Sequence, residues 1–138
     1  SYGNTEKMAK SIARGTSIPG VQTSLYNATE TPMEKIVDEV EISDGIILGT
    51  PTLNAKTPEP IFNIISNLVT LNVKGKAASV FGCYGWSGEA IQMTEDILKS
   101  LKFKIIVECF KLKMSPTAGQ LKDCEEFGRK YAAEILKL

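Results

Sequence analysis

An α/β fold, a mainly parallel sheet with helices on both faces, is predicted by three observations on this sequence. Short apolar runs bounded by Gly and Pro alternate with stretches of helical periodicity, the pattern of successive βαβ units. The apolar runs are hydrophobic throughout instead of alternating with polar residues, as strands buried on both faces are. The chain has 138 residues, 43% hydrophobic and 23% charged, which suits one globular domain over residues 1–138 with a sizeable core.

The elements follow in order. Thr5 to Arg14 places Met8, Ala9 and Ile12 on one face of a short helix with Glu6, Lys7 and Lys10 largely outside, and Gly15 closes it. Val21 to Ala28 reads as a strand, with Val21, Thr23, Leu25 and Asn27 on one face and Tyr26 on the other. Pro32 suits the first position of a second helix, whose inner side carries Met33, Ile36, Val37 and Val40. "DGIILGTPT" is too short for a helix and reads as a buried strand. Thr57 caps a helix that begins at Pro58, with Ile61, Ile64, Ile65 and Leu68 as its apolar stripe. "KAASVFGCYG" is the next buried strand. Ser87 then caps a helix to about Leu101 with Ile91, Ile97, Leu98 and Leu101 inward, and "FKIIVECFKLK" returns as a strand. The closing helix, "TAGQLKDCEEFGRKYAAEILKL", offers Leu121, Phe127, Tyr131, Ile135 and Leu138 for packing. Strands joined through helices in this way form right-handed crossovers.

Charge and composition remove several function classes. Sixteen basic and sixteen acidic side chains cancel, so no overall field draws in nucleic acid or an anionic membrane. No apolar run approaches the roughly 20 residues of a bilayer span, and a soluble, cytoplasmic protein is expected. Cys83, Cys109 and Cys124 are odd in number and form no CxxC spacing, which points to reduced, mostly buried thiols. Histidine is absent, so the usual general base and the commonest zinc ligand are missing and no metal site is expected.

In a sheet of this kind ligands sit beyond the carboxyl ends of the strands. Three segments fall there. "SYGNT" supplies Gly3 for close backbone approach and the side chains of Asn4 and Thr5 at a helix N-terminus, which is either an anion cradle without lysine or an ordinary helix cap. "TPTLN" has Pro51 stiffening a turn whose main-chain groups, with Thr52 and Asn54, suit the edge of a heterocycle. "CYGWSGE" sets Tyr84 and Trp86 around Gly85, followed by Ser87 and Gly88, a flat surface with close backbone for a planar aromatic ligand.

Together, "SYGNTEKMA", "GTPTLN" and "FGCYGWSGEA" resemble the three FMN loops of the flavodoxin family, and among its members the flavodoxin-like domain of flavodiiron proteins, or A-type flavoproteins. The resemblance covers essentially the whole chain. It implies a three-layer doubly wound flavodoxin-like sheet whose first, central strand lies upstream of this sequence. It further implies that Ser1, Tyr2, Gly3, Asn4 and Thr5 hold the FMN phosphate, that Pro51, Thr52, Leu53 and Asn54 line one side of the flavin ring, and that Tyr84, Gly85, Trp86, Ser87 and Gly88 line the other.

The implied function is electron transfer through one non-covalently bound FMN, either to a di-iron site outside this segment that reduces oxygen or nitric oxide, or as a stand-alone carrier. The partner is then a redox protein or di-iron domain, with a homodimer as a further expectation. Leu53, Tyr84 and Trp86 are expected to rim the flavin with an apolar patch. Glu59 and Glu89 are the only acids close in sequence to the ring loops, so two closely spaced one-electron steps are expected. A nicotinamide-dependent quinone reductase would need longer loops. A phosphate-sensing receiver domain would need an acid at a strand's carboxyl end, and Asp44 stands before its strand.

Overall fold

The computed structural model describes residues 4–50, 59–84, 88–113 and 116–138. Its elements are α1 (Asn4–Thr16), α2 (Met33–Ile42), β1 (Gly45–Gly49), α3 (Glu59–Leu68), β2 (Ala77–Tyr84), α4 (Glu89–Ser100), β3 (Lys104–Ile105), β4 (Phe110–Lys113) and α5 (Ala118–Ile135). All described ladders are parallel. β2 pairs with β1 along one edge and with β3 and then β4 along the other.

Because side chains alternate along β2, it feeds two separate cores. Ala78 and Val80 meet Ile36 and Val40 of α2, Ile61, Ile64, Ile65 and Leu68 of α3, and Ile91 and Leu98 of α4. Ala77, Phe81 and Cys83 meet Met8 and Ile12 of α1 and Cys124, Phe127 and Tyr131 of α5. The helices therefore divide between the two faces. Tyr131 also donates its hydroxyl to the Ile46 carbonyl of β1 at 3.0 Å, which ties α5 across the sheet.

Several expectations shift. Val21–Ala28 forms no strand: no described strand lies alongside to supply a ladder, Leu25 is 50% exposed, and the hydrogen bond that holds the segment to α1 is Thr16 Oγ1 to Thr23 Oγ1 at 2.7 Å. Pairing makes a strand, and β propensity without a neighbour does not. Pro32 caps α2 from outside instead of starting it, and the N-cap of α4 is Gly88, one residue past Ser87. Thr57, Pro58 and Ser87 lie outside the described residues. Leu138 is 60% exposed, beyond the last turn that packs.

The strand expected over "FKIIVECFKLK" breaks in two. Ile106, Val107, Glu108 and Cys109 stand opposite only Ser79 and Val80, so the extra residues bulge from the ladder. Buried side chains satisfy the backbone freed there. Ser79 Oγ donates to the Val107 carbonyl at 2.6 Å, and the Cys109 N–H donates to Glu95 Oε1 at 2.9 Å. Glu95 is 3% exposed, and it also accepts from Gln92 Nε2 at 2.8 Å with Lys99 Nζ 3.6 Å away.

Gly15 was expected to close the first helix, yet α1 runs on to Thr16. Gly15 is where α5 crosses. A Cβ there would collide with the Glu125 carbonyl, and one on Gly128 would collide with the Ile12 carbonyl. The two helices touch backbone to backbone. Gly128→Val should therefore cost about 1–3 kcal/mol by forcing them apart, read as a lower urea midpoint.

All three cysteines are free, with Cys83 and Cys124 buried as expected. The Cys124 thiol is pushed up to about 11, first by burial and then by Asp123, and burial also raises the Tyr131 phenol. The folded state keeps the Cys124 proton where an unfolded thiol has begun to lose it. Stability from this group is whole below about pH 9 and is lost as pH rises towards 11. Denaturation midpoints should fall across that window, and Cys124→Ala should flatten the fall.

Candidate functional site

The carboxyl ends of β1 and β2 and the amino end of α1 carry the candidate residues. Asn4, Thr5, Tyr84 and Gly88 are described. Ser1, Tyr2, Gly3, Pro51, Thr52, Leu53, Asn54, Gly85, Trp86 and Ser87 lie outside the described residues.

Asn4 and Thr5 open α1. Met8, one turn further on, packs in the cluster that holds Phe81 and Cys83 at the carboxyl end of β2, so the start of α1 is held to the sheet. The first backbone N–H groups of a helix have no partner within it, and the helix dipole favours negative charge beside them. Thr5 Oγ1 is shielded from solvent and has no hydrogen-bond partner among the described residues. A buried hydroxyl left so costs about 1–3 kcal/mol, a cost that an oxyanion at this helix end would remove. Glu6, the acid in the first turn, is exposed and pairs with Lys10 at 3.1 Å.

Thr50 is fully buried where β1 ends, and its N–H donates to the Phe81 carbonyl at 2.9 Å. The chain thus leaves the sheet towards Pro51 at the level of Phe81. Tyr84 ends β2 partly buried against the core shared by α2, α3 and α4. A Cβ on Gly88 would stand 3.5 Å from Tyr84 Cδ1, so the backbone returns against the tyrosine ring. Cys83 turns to the opposite core. Close backbone beside an aromatic ring fits a planar ligand.

The sequence reading missed Lys111, which the fold brings against Gly88 from β4. Its signal was present as the "FKLK" alternation. Register to β2 was needed to read it. Nearby, burial pushes the Cys109 thiol up, Glu95 adds to the rise, and Lys111 opposes it.

A parallel sheet with an anion-favouring helix end and an aromatic wall at its carboxyl edge is the frame of a nucleotide-type cofactor domain. The sequence profile of the Flavodoxin family matches residues 1–128, and the chain belongs to that family, whose cofactor is FMN. It is 35% identical over 135 residues to the type A flavoprotein fprA of Rhodobacter capsulatus, covering 97% of this chain and 31% of that protein. Among solved structures, the metal-soaked Flv1 flavodiiron core from Synechocystis sp. PCC6803 superposes with a TM-score of 0.92 at 36% identity, covering 99% of this chain and 34% of that one. A flavodoxin from the domain Archaea superposes at 0.89 with 26% identity, covering 99% and 93%. The chain thus spans about a third of the flavodiiron and type A proteins it matches and nearly all of the archaeal flavodoxin. Among the described residues no helix is long and apolar enough to cross a membrane.

The residues present fit FMN. Thr5→Val keeps the shape of the side chain and removes the orphaned hydroxyl, so without FMN the protein should be no less stable, while FMN binding should weaken by about 1–2 kcal/mol. Thermal shifts with and without FMN separate the two effects.

Proposed function

We propose that this chain binds one FMN non-covalently and passes electrons to an acceptor outside it. The observation that carries this reading is the solvent-shielded Thr5 hydroxyl at the first turn of α1, without a partner among the described residues, in a chain of the Flavodoxin family. Thr5 and Asn4, with the backbone N–H groups of α1, hold the terminal phosphate, and Ser1, Tyr2 and Gly3 complete the loop. Pro51, Thr52, Leu53 and Asn54 line one side of the ring. Tyr84, Gly85, Trp86, Ser87 and Gly88 line the other.

FMN, when bound, supplies the redox chemistry. The protein orients the ring between the two loops, hydrogen-bonds the phosphate at the amino end of α1 and limits water at the ring. No side chain needs to move a proton. The acceptor is a di-iron site that reduces oxygen or nitric oxide. The type A flavoprotein and the flavodiiron core to which the chain is similar support this, since the chain matches only about a third of each. The archaeal flavodoxin, matched over nearly its full length, favours the second reading of a stand-alone carrier.

Purified protein should be yellow or turn yellow with FMN, and FAD should bind poorly because the helix end suits a terminal phosphate. Asn4→Ala with Thr5→Ala should weaken FMN by roughly 2–4 kcal/mol, about 1–2 for each charge-assisted bond lost. Fluorescence titration measures both. A double variant with unchanged affinity would remove this loop from the site.

A further inference from the structure

β4 carries two cations to the wall of the proposed ring site. Phe110 and Leu112 pack towards α1 and α5, so Lys111 and Lys113, which alternate with them, face the other side of the sheet. That is the side on which Tyr84 packs. The register sets Lys111 beside Gly82 and Lys113 beside Tyr84. A Cβ on Gly88 would stand 2.8 Å from Lys111 Cδ. The glycine backbone therefore lies on the aliphatic stem of Lys111, with the Tyr84 ring beside it.

Stem packing of this kind restrains a lysine while leaving its ammonium in a polar setting. The ion pairs among the described residues join side chains three or four apart in the chain, and none engages Lys111 or Lys113. Lysines on an edge strand also discourage the pairing of further strands. That role explains their exposure, and it does not require contact with Gly88.

We propose that Lys111 makes the site hold reduced FMN more tightly than oxidised FMN, by fixing one positive charge against Tyr84 and Gly88 beside the ring. The proposal rests on the FMN reading above. The oxidised ring is neutral; with two electrons, from dithionite or a donor protein, and one proton it becomes a monoanion. A fixed cation in a partly desolvated site attracts only the second form. Selective affinity for the reduced form raises the two-electron potential, because the two affinities and the potential close one thermodynamic cycle. Lys111 thus supplies a charge that the acids near the loops in sequence did not reveal.

The test uses the full chain loaded with FMN and compares Lys111→Gln, Lys111→Arg and Lys74→Gln, the last an exposed lysine ahead of β2 at the far end of the sheet. Oxidised FMN affinity is measured by fluorescence titration and the potential by spectroelectrochemistry. For Lys111→Gln, oxidised affinity should stay within about twofold while reduced FMN is held about tenfold less tightly, a midpoint about 30 mV more negative. Lys111→Arg should restore the potential and Lys74→Gln should leave it unchanged. The shift should shrink at about 1 M salt, where charges are screened within about 3 Å. A Lys111→Gln protein that binds FMN normally and keeps the parent potential overturns this proposal alone, as does an equal loss of both affinities. A parent chain that takes up no FMN overturns the underlying reading and this one with it.

Discussion

The parallel ladders along both edges of β2 set the position of everything else. β2 is buried along nearly its whole length, so the polar groups of its backbone have to find partners. β1 supplies them along Ala77–Phe81 on one side, and β3 with β4 on the other, on either side of the bulge. Once the ladders are in place, the alternation of β2 side chains determines which helices pack on which face. The carboxyl ends of the strands then come together at one edge, where the chain turns out into its loops.

That edge owes its chemistry to backbone more than to side chains. A helix N-terminus offers unpaired N–H groups whatever its sequence, and the restraint on α1 comes from Met8 and Ile12 packing beneath it. Thr5 adds a hydroxyl that no described residue satisfies. Such an unmet group is tolerated in a fold when a ligand completes it.

The broken edge strand shows how a fold absorbs a misfit in length. Four residues opposite two cannot continue a ladder, and the freed groups turn to Ser79 and Glu95. The bulge, between β3 and β4, moves the strand on by two residues relative to β2 and keeps its alternation, since Ile105 and Phe110 still face opposite cores. The outcome is that Phe110 stacks on Phe127 with ring centres 5.2 Å apart, and Lys111 turns towards Gly88.

The α/β class, the parallel sheet and the stripes of α3 and α4 were legible in the sequence, because each rests on local periodicity or on residues adjacent in the chain. Ile61, Ile64, Ile65, Leu68, Ile91 and Leu98 are buried as their spacing requires. Pairing and approach were not legible. Val21 to Ala28 has the residues of a strand and forms none, since a ladder depends on a neighbour that local sequence does not specify. Gly15 reads as a stop signal, yet it continues α1 at the crossing with α5, a contact between segments distant in the chain. Lys111 reads as an ordinary edge-strand lysine until the register with β2 and the approach of Gly88 set its stem against that glycine. Local patterns in the sequence determined the elements and the loops that could bind, whereas only the tertiary structure decided which backbones touch and which charges meet, because those follow from the joint packing of residues far apart along the chain.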